Sequence, residues 1–170
     1  MRWFVLLVAC SSCIDLFVEP FVADYGDTPT WTPQGQPKLD LGFYVEQLYA
    51  GLNDGDALHV IYGTQGGRWT MPAVRLTGLP LEVSLECSVT TSTGEVLGTL
   101  SGAQRFVVAP DGWAEMQAIA IPIQHAAPNE ALPIDDLFGK EATLRCVATG
   151  PDSSEERRVG KECRSRWSPY

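Results

Sequence analysis

His59 and His125 are the only histidines in this 170-residue chain, and they set the limits of any catalytic reading. Nucleophilic catalysis needs a serine, cysteine or threonine held against a base, and no G-x-S-x-G strand-turn-helix signature is present. No His, Cys or Glu lies near either histidine at metal-ligand spacing. The sequence therefore assigns no catalytic residue, no metal ligand and no cofactor. Asp54 and Asp56 in "NDGD" offer two carboxylates, but a calcium loop supplies more, and the pattern reads as a solvated turn. "GTQGG", residues 63–67, lacks the Gly-Lys-Ser/Thr ending of a phosphate cradle, and a hairpin or bulge is the better expectation. Trp31, Tyr44, Tyr49, Tyr62, Trp69 and Trp113 could stack on sugar rings, although aromatics scattered through strands ordinarily pack in the core and across strands.

The cysteines say more. Met1-Arg2 is a short positive start, and Trp3 to Ala9 is an apolar run far too short to span a bilayer, which takes roughly 20 residues. The run ends Leu7-Val8-Ala9-Cys10, followed by two serines. A thiol is needed to accept a diacylglyceryl group, and a small residue before it gives a signal peptidase access to the bond. This stretch resembles the lipobox of bacterial lipoproteins. The resemblance implies a signal peptide over residues 1–9 and a lipidated Cys10 as the mature N-terminus. Ser11, standing where Asp would retain the protein on the inner membrane, points to the outer membrane by analogy with sorting in enteric bacteria. Acylation at more than one site gives stable anchoring. Residues 10–41 then form a tether, with Pro20, Pro29, Pro33 and Pro37 among polar residues and no period of 2 or 3.6.

Charge excludes one class of partner. The net charge is −9, which phosphate backbones repel, so nucleic acid is not an expected ligand. The final stretch, "SEERRVGKECRSRWSPY", departs from this balance: it holds five of the twelve basic residues, leaving 7 basic against 18 acidic groups, net −11, in the other 153. Residues 154–170 resemble, almost letter for letter, the translation of a sequencing-library adapter. That resemblance implies a non-native tail, a Cys163 outside the native cysteine count, and a domain over 42–153 lacking its last strand.

The elements that position these residues are strands. Gly and Pro together number 28, favouring short strands and many turns. In "LEVSLECSV" Leu81, Val83, Leu85, Cys87 and Val89 alternate with Glu82, Ser84, Glu86 and Ser88, the pattern of a half-buried strand. "EATLRCVA" repeats it with Ala142, Leu144, Cys146 and Ala148. In "MQAIAIPI" the three isoleucines share a face and Pro122 marks an edge or bulge. "FYVEQLY", "ALHVIYG", "RWTMPAVRL", "EVLGTL" and "RFVVA" are further strand candidates, separated by turns at Asn53-Asp54-Gly55, Gly66-Gly67, Thr93-Gly94 and Asp111-Gly112. "PIDDLFGKE" is expected to hold one helical turn, capped by Asp135 and stopped at Gly139. The expected fold is an all-β antiparallel sandwich. Cys87 and Cys146 both point inward. In an oxidising envelope compartment two such cysteines are expected to pair, the alternative being two buried thiols.

"LECSV" and "LRCVA", with Trp113 between them, resemble the paired cysteine strands of immunoglobulin-like domains, although Leu144 stands where a tyrosine-corner tyrosine is expected. The stretch from Gly51 to Leu79, with its Asp54-Gly55-Asp56, Gln65-Gly66-Gly67, Arg75 and Gly78-Leu79, resembles the opening of an uncharacterised family of Gram-negative envelope lipoproteins. No activity comes with that resemblance. The expectation is a lipid-anchored binding or structural module of the cell envelope, not an enzyme, with the membrane and an envelope protein or polysaccharide as partners. The rivals are a periplasmic hydrolase with a cryptic Ser/His site, which a pocket uniting a histidine, a serine and a carboxylate would favour, and a carbohydrate-binding module, which an exposed row of tryptophans would favour.

Overall fold

The structure, a computed structural model, describes residues 30–62, 67–123, 138–151 and 158–169. Cys10, Cys13, His125 and most of "GTQGG" and "PIDDLFGKE" lie outside the described residues. Twelve strands run in chain order: β1 Lys38–Val45, β2 Leu48–Gly51, β3 Ala57–Tyr62, β4 Arg68–Thr70, β5 Ala73–Thr77, β6 Glu82–Thr91, β7 Val96–Arg105, β8 Val107–Val108, β9 Ala114–Met116, β10 Ile121–Pro122, β11 Glu141–Thr149 and β12 Arg158–Pro169. They form two sheets, ordered β2-β1-β5-β9-β8 and β10-β4-β3-β12-β11-β6-β7, packed face to face as a β-sandwich. Every pairing is antiparallel except β12 with β3.

Alternation builds the core as expected. Val83, Leu85, Cys87 and Val89 of β6 and Ala142, Leu144, Cys146 and Ala148 of β11 are buried, and they meet Leu39, Leu41, Val74 and Leu76 of the other sheet in one cluster. Ile119, Ile121 and Ile123 are all buried, and Pro122 sits on an edge strand, where its missing N–H costs no ladder bond. The two ends of the seven-stranded sheet come together where β10 crosses β7 at Gly98. A Cβ there would lie 2.3 Å from the Pro122 carbonyl oxygen, so only glycine permits the approach.

Two strand candidates are broken by local chemistry. "FYVEQLY" is a hairpin, not one strand: Glu46 and Gln47 turn the chain with φ of 49° and 68°, the twist-matched geometry of a two-residue loop, here without the usual glycine. "RWTMPAVRL" divides at Met71-Pro72, and its halves enter different sheets. The domain also starts earlier than expected, since Lys38–Leu41 belong to β1 and Trp31 packs on the core, its Nε1 donating to the Leu79 carbonyl at 2.8 Å. Gly139 adopts a left-handed φ of 76° in the turn that leads into β11.

Cys87 and Cys146 form a disulfide with Cα atoms 4.1 Å apart, directly opposed on neighbouring strands β6 and β11. This departs from the immunoglobulin pattern, in which the bridge ties one sheet to the other. The link spans 59 residues of sequence, and closing a loop of that length contributes roughly 2–4 kcal/mol by restricting the unfolded chain.

The largest correction concerns the C-terminal segment. A non-native tail over 154–170, outside the folded domain, was expected. Instead β12 lies inside the seven-stranded sheet, antiparallel to β11 from Glu141↔Arg166 to Thr149↔Arg158 and parallel to β3 from Arg166↔Ala57 to Pro169↔Val60. Cys163, Ser165 and Trp167 point into the core while Glu162, Arg164 and Arg166 point to solvent. The period of 2 rests on Cys163, Ser165 and Trp167, and the serine between the two apolar residues breaks the apolar run.

Candidate functional site

The densest polar chemistry lies on the outer face of the five-stranded sheet. Asp40, Arg75 and Glu115 stand in register across β1, β5 and β9. Strict alternation puts them opposite the core residues Leu39, Leu41, Val74, Leu76 and Ala114. A charged row on an outer face should be solvated, yet Glu115 is fully buried. Two tyrosines cover the row. Tyr44 and Tyr49 face each other across the β1–β2 hairpin, ring centroids 5.8 Å apart and edge to face. The Tyr49 ring lies over Gly42, where a Cβ would come within 2.6 Å of it, so the glycine makes the lid possible.

Arg75 is the hub. Its Nε donates to Glu115 Oε2 at 2.9 Å, its Nη1 meets Asp111 Oδ2 at 2.7 Å, and its Nη2 donates to the Tyr44 hydroxyl at 2.9 Å. Its guanidinium lies 4.2 Å from the centre of the Tyr49 ring, a cation–π contact. Tyr44 donates to Glu115, Tyr49 donates to Asp40 Oδ2 at 2.9 Å, and Gln117 Nε2 donates to Glu115 Oε1 at 3.1 Å. Lys161 of β12 closes the network on Asp40. Burial works against the Arg75 charge, but its bonds to Tyr44 and Glu115 outweigh that and hold its proton more tightly than usual. Burial, aided by the bonds to Glu115 and Asp40, pushes both phenols well above their ordinary range.

Every polar group of this cluster is matched by a partner, and the arrangement does the work of a clasp. It joins β1, β2, β5 and β9 to β12. A pH dependence follows. The unfolded chain loses its phenolic protons near pH 10, whereas the folded chain keeps those of Tyr44 and Tyr49 to higher pH. Their contribution is therefore complete below about pH 10 and is lost as pH rises beyond it. Denaturant midpoints measured from about pH 8 to about pH 12 should fall steeply above 10, and the Tyr44→Phe/Tyr49→Phe variant should fall less steeply.

Other sequence candidates are used locally. Asp54 Oδ1 accepts from the Arg164 amide at 2.9 Å and Asp56 Oδ2 accepts from the Asn53 amide at 2.8 Å, with Gly55 at a left-handed φ of 93°. The "NDGD" turn thus fastens to β12. His59 packs edge-on against Phe43, ring centroids 5.3 Å apart, and stands in register with Ser168. Among the described residues no group of three or more His, Cys, Asp or Glu is placed to hold a metal ion. Of the six aromatics considered for sugar stacking, the structure joins Tyr44 to Tyr49, leaves Tyr62 exposed, and sets Trp31 in a groove.

That groove, about 540 Å³, lies between residues 30–34, the end of β5 and the 108–112 turn. Thr30, Thr32, Gln34 and Thr77 supply its side-chain polarity beside Trp31, and none of the described residues lining it is charged. Sequence reading had no signal for it, because its walls come from three distant segments. The clasp was missed for a different reason: "AVRLT" and "WAEMQ" each show one charge on an alternating strand, which reads as a solvated face. A comparison with family models finds no match to this chain, and a comparison with curated proteins finds none either.

Proposed function

We propose that this protein is a lipid-anchored β-sandwich module of the bacterial cell envelope, held to the outer membrane through Cys10, that binds a partner or serves as a structural unit. The Cys87–Cys146 disulfide carries the reading. Disulfides persist in oxidising compartments such as the periplasm, and the export pattern at Leu7-Val8-Ala9-Cys10 supplies a route there. The clasp supports a binding or scaffolding role, since its charges are spent on one another. Expression of the full chain in a Gram-negative host tests this. The protein should partition into detergent with the membrane fraction, and Cys10→Ala should leave it soluble or unprocessed. Equal partitioning of the two chains, with residues 1–9 removed alike from both, would contradict anchoring at Cys10.

A second reading narrows the ligand to a neutral glycan, favoured by the uncharged, hydroxyl- and amide-bearing groove beside Trp31. Aromatic faces with convergent neutral hydrogen-bonding groups suit polyhydroxylated ligands better than ionic ones. Affinity electrophoresis in neutral polysaccharide gels should retard the protein, and Trp31→Ala should abolish the retardation. Unretarded migration of the parent chain across a panel of neutral glycans would count against it.

A further inference from the structure

We propose that the gap between β3 and β11 is a strand-acceptor site, able to take an extended peptide with apolar side chains at alternate positions in place of β12. The site is defined by hydrogen-bonding edges on both sides, β11 running antiparallel and β3 parallel to the occupant. Three of its inward positions are buried, now held by Cys163, opposite Leu144; Ser165, opposite Ala142; and Trp167, in register with Leu58; a fourth of the same parity, Lys161, reaches Asp40. The surroundings of these positions are apolar: Leu58, Ala142, Leu144 and Cys146 are all in the core cluster. The outward positions, Glu162, Arg164 and Arg166, are exposed and place no demand on the occupant's chemistry.

The present occupant fits the backbone well and the core poorly. Ser165 Oγ and Trp167 Nε1 are buried without a hydrogen-bond partner among the described residues, and the Cys163 thiol is satisfied by the Leu52 carbonyl at 3.3 Å. A buried unpaired donor forfeits its hydration, and replacing it with an apolar group of similar shape removes that loss. A strand carrying valine or isoleucine at the first two positions and keeping tryptophan at the third keeps the ladder bonds and removes the stranded serine hydroxyl. Such strand addition takes its affinity from main-chain bonds and its specificity from alternate side-chain positions.

The test uses the full chain and a synthetic peptide copying residues 159–168 with Val for Cys163 and Ile for Ser165. A control peptide of the same composition has its apolar residues shifted by one position, which turns them to the solvent face. Cys163 is buried while β12 is in place, so its alkylation, mapped by mass spectrometry after prolonged incubation, reports displacement. The in-register peptide should raise Cys163 labelling at least about tenfold, and the shifted peptide should leave it unchanged, because a one-residue slip reverses every side chain. The Ser165→Val chain, whose own strand fits better, should require several-fold more peptide for the same labelling, and a Trp167→Ala chain, with a weaker grip, less. Unchanged labelling in both the parent and Trp167→Ala chains would overturn the proposal. So would equal labelling by the two peptides.

Discussion

Replacing Arg75 by methionine should destabilise the protein by about 3–5 kcal/mol, the cost of leaving a buried charge unpaired. Arg75 touches the fully buried Glu115 at 2.7 Å, with its own side chain 12% exposed. Methionine conserves much of the aliphatic stem and none of the bonds to Glu115, Asp111 and Tyr44. Arg75→Lys keeps the charge but not the planar fork that reaches three acceptors while stacking on Tyr49, and should recover only part of the loss. The double variant Arg75→Met/Glu115→Leu should be far closer to the parent than Arg75→Met alone, since replacing a buried ion pair by apolar groups is often neutral. Chemical denaturation of the four chains measures this. An Arg75→Met chain within about 1 kcal/mol of the parent would show that the cluster is an ornament of the surface and not a clasp.

Ending the chain at Asp152 should cost more still. It removes β12 from between β3 and β11, and with it a complete ladder on one side of β11. Trp167 alone is 2% exposed, and truncating a buried tryptophan to alanine costs about 3–5 kcal/mol. Loss of the strand also frees Asp40 from Lys161 and the Asp54-Gly55 turn from Arg164. The shortened chain should lose its cooperative unfolding transition or melt far below the parent, and should self-associate through the two edges it exposes. Thermal melts and light scattering of the two chains give the answer. A truncated chain with an unchanged melting temperature would mean that residues 158–169 are a passive tail after all.

How much of this was legible in the sequence depends on what each residue type signals. The cores of β6 and β11 could be read directly, because Leu, Val and Cys alternate there with Glu and Ser, and only one pleat buries the first set. The pairing of Cys87 with Cys146 followed from shared parity and compartment. Their place on adjacent strands did not, since strand order is set by long-range register. β12 was hidden because the polar Ser165 interrupts Cys163-x-Ser165-x-Trp167, and the inward direction of these side chains comes from the neighbours β3 and β11. The hairpin at Glu46-Gln47 was hidden because neither residue favours a left-handed backbone, so the usual Asn-Gly cue was absent. The clasp required both: Tyr49 reaches Gly42 and Asp40 only through that hairpin, and Lys161 reaches Asp40 only through β12.

The central claim, an exported module anchored at Cys10, is tested most directly by the mass of the mature N-terminal peptide. Protein recovered from the envelope of a Gram-negative host would be digested without reduction and its first peptide sequenced by mass spectrometry. The account predicts a peptide that begins at Cys10, lacks residues 1–9 and carries a thioether-linked diacylglyceryl group on that cysteine. A mature chain that retains Met1 to Ala9, or begins elsewhere with Cys10 unmodified, would contradict it.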